Sequence, residues 1–348
     1  MKLLPAMVSD LVTHLVTDVG YAAGWQLVRA LPEPVARAAF EQGADLAVLR
    51  GGGSIDQFRR NLSRVTGPSA GPGDLDRLVR DGMRSYARYW METFRLPAMD
   101  PARTAARVRS DGTDNLQAAI DSGRGAVVAL PHSGNWDIAG VWLVQRGYPF
   151  TTVVERLKPE SLFDKFVAYR ESLGMEVLPL TGGARPALTV LKERLAAGGL
   201  VCLVADRDLS RSGVDVEFFG EPARMPAGPA LLAATTGAIL LPAHLHFEPD
   251  GWAQWIGEPI DLGSGDLRRR IRTGTQTLAD LFAARIAEYP ADWHMLARLW
   301  LADLYPARPR PIDEVPAAEP LPGRSAAELP GPSHELPAAS ELPAADGG

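Results

Sequence analysis

One repeating pattern between residues 126 and 256 limits what this chain can fold into. Short apolar runs rich in β-branched residues alternate with stretches of helical composition. The runs are Ala126–Leu130, Phe150–Val154, Met175–Leu180, Leu200–Ala205, Ala238–Leu241 (continuing through Pro242 toward Phe247) and Trp252–Ile256. Runs of this length bounded by Gly and Pro read as buried strands. Helices are expected between and after them, at 161–173, 185–197 and 266–288. Such alternation predicts an α/β fold, a central and mostly parallel sheet flanked by helices.

The flanks differ. Residues 1–50 and 74–95 read as helical, with Gly51-Gly52-Gly53 as a helix stop and Gly67-Pro68 through Gly73 as a break. A helical N-terminal region is therefore expected over 1–73 and an α/β domain over 74–305. From Pro306 ten of 43 residues are proline and none is aromatic. Such a segment buries too little apolar surface to offset its ordering entropy, so 306–348 reads as a disordered tail. No run satisfies a secretory signal or a membrane span. The apolar segment 3–31, broken by Asp10, Asp18 and Arg29, reads as a helix in the core or lying on a bilayer.

Composition excludes several classes. The net charge is −6, which argues against nucleic acid as a partner. The one cysteine, Cys202, permits no intrachain disulfide and sits inside an apolar strand, where a buried inert thiol is expected. His244 and His246 alternate along a strand, but no third ligand has metal spacing, so no metal is expected.

The chemistry concentrates at Leu130-Pro131-His132-Ser133-Gly134-Asn135-Trp136-Asp137. A strand ends at Leu130 and Ser133-Gly134-Asn135 has helix-capping character. His132 is thus expected on a loop at the carboxyl end of a strand, where α/β sheets build their sites. A histidine oriented by a carboxylate is a general base near neutral pH. Asp137, five positions later, is one candidate for that carboxylate. Its other reading is a charge placed favourably on the helix dipole. Asp206 ends a second strand, which puts it at the same end of the sheet as His132, and is the other candidate; its other reading is an ion pair with Arg207. Backbone N–H groups near Ser133 and Asn135 are candidates for stabilising an oxyanion.

Four stretches together resemble one family. The His132 to Asp137 box is similar to the His-x4-Asp/Glu box of bacterial lipid acyltransferases related to the lipid A lauroyl and myristoyl transferases. Tyr169-Arg170-Glu171-Ser172-Leu173-Gly174 resembles that family's arginine segment. Asp206-Arg207-Asp208, followed by Phe218-Phe219-Gly220, resembles its acid segment. Met225-Pro226 through Pro242 resembles the box after it. The likeness covers residues 75–300 in consistent order, and its wording is most similar to the actinobacterial branch that acylates phosphatidylinositol mannosides.

The resemblance implies a glycerolipid-acyltransferase-like fold. It also implies transfer of a fatty acyl chain from acyl-CoA to a mannose hydroxyl, without a cofactor, at the cytoplasmic face of the inner membrane. His132 would be the base, with Asp137 or Asp206 polarising it. Substrate contacts are expected from Arg170, Glu155, Arg207, Arg224, Ser133 and Asn135. Phe218, Phe219 and Met225 are expected to line an acyl groove. The protein would act as a monomer attached peripherally to a membrane, held by its N-terminal helices and by Arg268, Arg269, Arg270 and Arg272. Rival readings are a different glycolipid or lysolipid acceptor, an acyl-carrier-protein donor, a non-catalytic lipid-binding protein, and a metal hydrolase.

Overall fold

A computed structural model describes residues 24–68, 71–156, 160–208 and 213–305. The tail expected from Pro306, and the apolar positions before Gly24, lie outside the described residues.

Among the described residues there are nine strands: β1 Val108–Asp111, β2 Ala126–Leu130, β3 Phe150–Val154, β4 Glu176–Pro179, β5 Leu200–Val204, β6 Val214–Phe218, β7 Glu221–Met225, β8 Ile239–Glu248 and β9 Gly251–Ile256. Seven form one sheet in the order β1-β9-β8-β2-β5-β3-β4. The five from β8 to β4 run parallel, while β9 pairs antiparallel with β8 and β1 follows β9. The turn between β8 and β9 is short, which permits only the antiparallel arrangement there. Strand β1 is too polar to be visible as an apolar run. The β6–β7 hairpin makes a separate two-stranded sheet.

Both faces of the sheet are covered, as parallel sheets require. Along β2, Val127 and Ala129 join one core and Ala126, Val128 and Leu130 the other. The first core packs beneath helices Ala187–Ala196, Gly228–Thr236 and Leu267–Glu288 and includes Phe218 and Met225 of the hairpin. The second packs beneath helices Thr113–Asp121 and Trp136–Gln145.

The N-terminal helices Glu33–Arg50, Gly53–Thr66 and Pro72–Arg95 close around Phe58, Leu62 and Val79. They are tied to the α/β part. Asn61 donates to the carbonyls of Met295 and Ala297 at 2.6 and 2.9 Å, and Arg64 pairs with Asp303 at 2.7 Å. The described residues accordingly belong to one compact unit. Among them no helix is long and apolar enough to cross a membrane.

Candidate active site

Strand pairing brings the site together. Leu130 of β2 lies opposite Val204 of β5, and the Ala205 N–H donates to the Leu130 carbonyl at 2.8 Å. Two residues beyond each strand end stand His132 and Asp206. The His132 Nδ1 meets Asp206 Oδ1 at 2.5 Å, and the His132 backbone N–H donates to Oδ2 at 2.9 Å. The Trp293 indole N–H donates to the same Oδ2 at 2.8 Å. Asp206 is fully buried, whereas the His132 side chain is 31% exposed. Burial alone would raise the Asp206 carboxyl, but the His132 charge and the donated hydrogen bonds outweigh it and hold the group below its ordinary value. The imidazole is therefore anchored through Nδ1, and Nε2 is its remaining basic atom.

Asp137 does not orient His132. Its helix, Trp136–Gln145, turns the carboxylate toward Arg170, which grips it twice, at 2.6 and 3.0 Å. Both groups are buried. Burial opposes the Arg170 charge, and the Asp137 carboxylate outweighs burial, so the guanidinium stays firmly protonated. The two acids of the resemblance thus have separate partners.

Asn135 caps the same helix. Its side chain accepts from the N–H groups of Asp137 and Ile138 at 3.1 and 3.2 Å, and its Nδ2 donates to buried Glu92 at 2.8 Å. Gly134 holds a φ of 58°, and a Cβ there would lie 2.8 Å from the Leu245 carbonyl carbon. Of the N–H groups expected to meet an oxyanion near Ser133 and Asn135, those of Ser133 and Gly134 have partners within the protein. The Ser133 N–H donates to the Pro131 carbonyl at 2.7 Å and the Gly134 N–H to the Asp292 carbonyl at 2.9 Å. The Ser133 hydroxyl is buried without a partner among the described residues.

An apolar cavity with about 790 Å³ of atom-free space, its open mouth included, runs between the sheet and helix Trp136–Gln145. Its wall includes Val128, Leu130, Gly140, Phe150, Met175 and Cys202, with Asp137 and Arg170 as its charged side chains. Cys202 is buried and its thiol is pushed far up by burial, as expected of an inert group. Phe218, Phe219 and Met225 do not line this cavity. The hairpin that holds them packs on the opposite face of the sheet, where Phe218 stacks near Trp300 at 5.7 Å.

Glu155 is exposed at the carboxyl end of β3, and Arg207 is half-buried next to Asp206. Arg224 lies on β7, where it pairs with Asp215 at 2.7 Å and donates to the Tyr305 hydroxyl at 3.2 Å. Sequence reasoning missed Trp293 and Glu92, which reach the site from 87 and 43 residues away. No local pattern marks either residue.

The model of the bacterial lipid A biosynthesis acyltransferases matches residues 8–302. The chain belongs to that family. It is therefore an acyltransferase. It is 59% identical over 290 residues to the phosphatidylinositol mannoside acyltransferase of Mycolicibacterium smegmatis, covering 83% of this chain and 93% of that protein. It is 54% identical over 309 residues to the protein of that name in Mycobacterium tuberculosis, covering 88% and 95%.

Proposed function

We propose that this acyltransferase moves a fatty acyl chain from acyl-CoA to a mannose hydroxyl of a phosphatidylinositol mannoside. The names of its relatives support the acceptor class. The observation behind the mechanism is the 2.5 Å contact between His132 Nδ1 and buried Asp206. It leaves Nε2 to take the proton from the sugar hydroxyl as that oxygen attacks the thioester carbonyl. The C–S bond then breaks, and the imidazolium returns its proton to the departing CoA sulfur. The buried Asp206 carboxylate stabilises the imidazolium between the two steps. Arg170 and Asp137 wall the cavity that would receive the acyl chain.

The acceptor stays in a bilayer, so the enzyme is proposed to bind the cytoplasmic membrane surface peripherally and to work there as a monomer.

The test is transfer from radiolabelled acyl-CoA to purified phosphatidylinositol mannosides. Wild-type protein should label the acceptor, and His132→Ala should abolish labelling while its thermal midpoint stays close to wild type. Near-normal turnover by His132→Ala would refute the base. Labelling of other glycolipids or lysolipids in preference to mannosides would refute the acceptor.

A further inference from the structure

The Asp206 carboxylate is buried away from water, so the protein must hold its charge and its orientation. Two of its three donors belong to His132, the group it serves. The third is the Trp293 indole N–H, at 2.8 Å from Oδ2. The indole is fully buried and wedged between rings. Phe218 and Trp300 meet it edge-on, with centroids 6.0 and 6.1 Å away. The indole therefore cannot turn its N–H elsewhere without breaking the core. Its neighbours hold the catalytic loop from the other side. The Gly134 N–H donates to the Asp292 carbonyl at 2.9 Å, and the His294 N–H to the His132 carbonyl at 2.7 Å.

We infer that Trp293 is a positioning residue for acyl transfer: its indole N–H pins Asp206 Oδ2, so that Oδ1 stays aimed at His132 Nδ1 with its charge partly shared. The inference rests on His132 being the base. Without the N–H, the carboxylate keeps its buried charge with one donor fewer. It becomes more basic and stabilises the imidazolium more strongly. The base then deprotonates only at higher pH, and its ring is less firmly aimed. Other titratable or charged groups face the pair. His294 is held neutral by burial and by the nearby His132 charge, with its pKa lowered to about 3. Asp292, behind His294, is raised by burial despite its bonds from Ser85 and the Phe247 N–H. Arg207 adjoins Asp206 in the chain, and the Asp137–Arg170 pair sits on the neighbouring helices. All of these remain in the variants below, so they do not account for a difference between them.

The experiment compares wild-type full-length protein with Trp293→Phe and with a protein carrying benzothienylalanine at position 293. The second analogue keeps the shape of the indole and replaces N–H by sulfur. Turnover is measured against pH, and His132 is titrated by NMR in protein labelled at its histidines. A charge-assisted hydrogen bond of this kind predicts a fall in kcat of about ten- to hundredfold. The KM for acyl-CoA should not change, the acidic limb should move to higher pH, and the His132 titration should move the same way. Folded benzothienylalanine protein with wild-type kcat and an unmoved His132 titration overturns the inference. A fall in kcat with an unmoved titration also overturns it, because it leaves Trp293 only a packing role. If His132→Ala turns over normally, the base assignment fails instead, and the NMR titration still decides whether Trp293 tunes His132.

Discussion

Two buried carboxylates flank the loop that carries His132, and their partners set their roles. Asp206 faces a group that can exchange a proton, whereas Asp137 faces a guanidinium that does not. Asp137→Asn should leave Arg170 buried with half its compensation, at a cost of about 3–5 kcal/mol. Urea unfolding reads this directly, and a loss below about 1 kcal/mol would mean the pair behaves like an exposed one. Two other buried histidines shape the response to acid. Burial, then the His246 charge, then Arg285 lower His244 to about 3, and its Nε2 has no partner among the described residues. Burial, then the His132 charge, lower His294 to about 3. The unfolded chain takes up these protons near 6.5, before the folded protein does. Both groups therefore support the fold fully above pH 6.5 and lose that support as pH falls toward 3. His244→Phe should flatten the decline of thermal midpoint between pH 6.5 and 4. An unchanged slope would remove His244 from the account.

At the scale of the element, helix Trp136–Gln145 begins where it does because Asn135 ends the strand-to-helix loop with a φ of −127° and accepts two helical N–H groups. Its other end is committed as well. Glu92 receives Asn135 Nδ2 and the Trp252 indole N–H at 2.8 Å each, and pairs with Arg88 at 2.7 Å. One side chain thus joins a helix start to the buried acid of helix Pro72–Arg95. Asn135→Ala removes the cap and one of the donors to Glu92, which should cost about 2–4 kcal/mol. Asn135→Asp should not restore stability, although aspartate is an equally good cap, because it sets a second carboxylate against Glu92. Thermal unfolding of the two variants separates them. Equal stability of Asn135→Asp and wild type would show that the Glu92 contact contributes little.

For the whole molecule, the proposed membrane attachment needs a surface that prefers lipid. Helix Glu33–Arg50 exposes Val35, Leu46 and Leu49, and Leu27 precedes it. At 3.6 residues per turn those three residues fall within about 60° of arc, a single stripe. Leu49 is 78% exposed. Leu46→Ser with Leu49→Ser should weaken flotation with anionic vesicles and leave acyl-CoA hydrolysis or transfer to a detergent-dispersed acceptor unchanged. High salt should reduce flotation only in part, since exposed charges are screened over ~8 Å at physiological ionic strength while apolar burial is not. Equal flotation by the double variant would place the contact elsewhere.

Local pattern determined six of the nine described strands, and with them the fold class, while β1 and the β6–β7 hairpin left no apolar run to read. An apolar β-branched run such as Val127-Val128-Ala129 is buried on both faces, and that property is written into five adjacent residues. The position of His132 at a strand end followed from the same run and from the capping residues after it. The partner of His132 did not follow. Asp137 is five residues away, yet the helical turn carries it to Arg170, while Asp206 is 74 residues away and arrives through the pairing of β2 with β5. Trp293 and Glu92 enter by the same route, through packing of segments far apart in the chain. Phe218 and Phe219, expected to line an acyl groove, lie on the face opposite the apolar cavity, because the side of the sheet a hairpin covers is not a local property. Periodicity and capping act within a few residues, so the sequence determines elements and their ends. Which side chains meet depends on strand order and on which face each connection covers, and only the folded structure decides that.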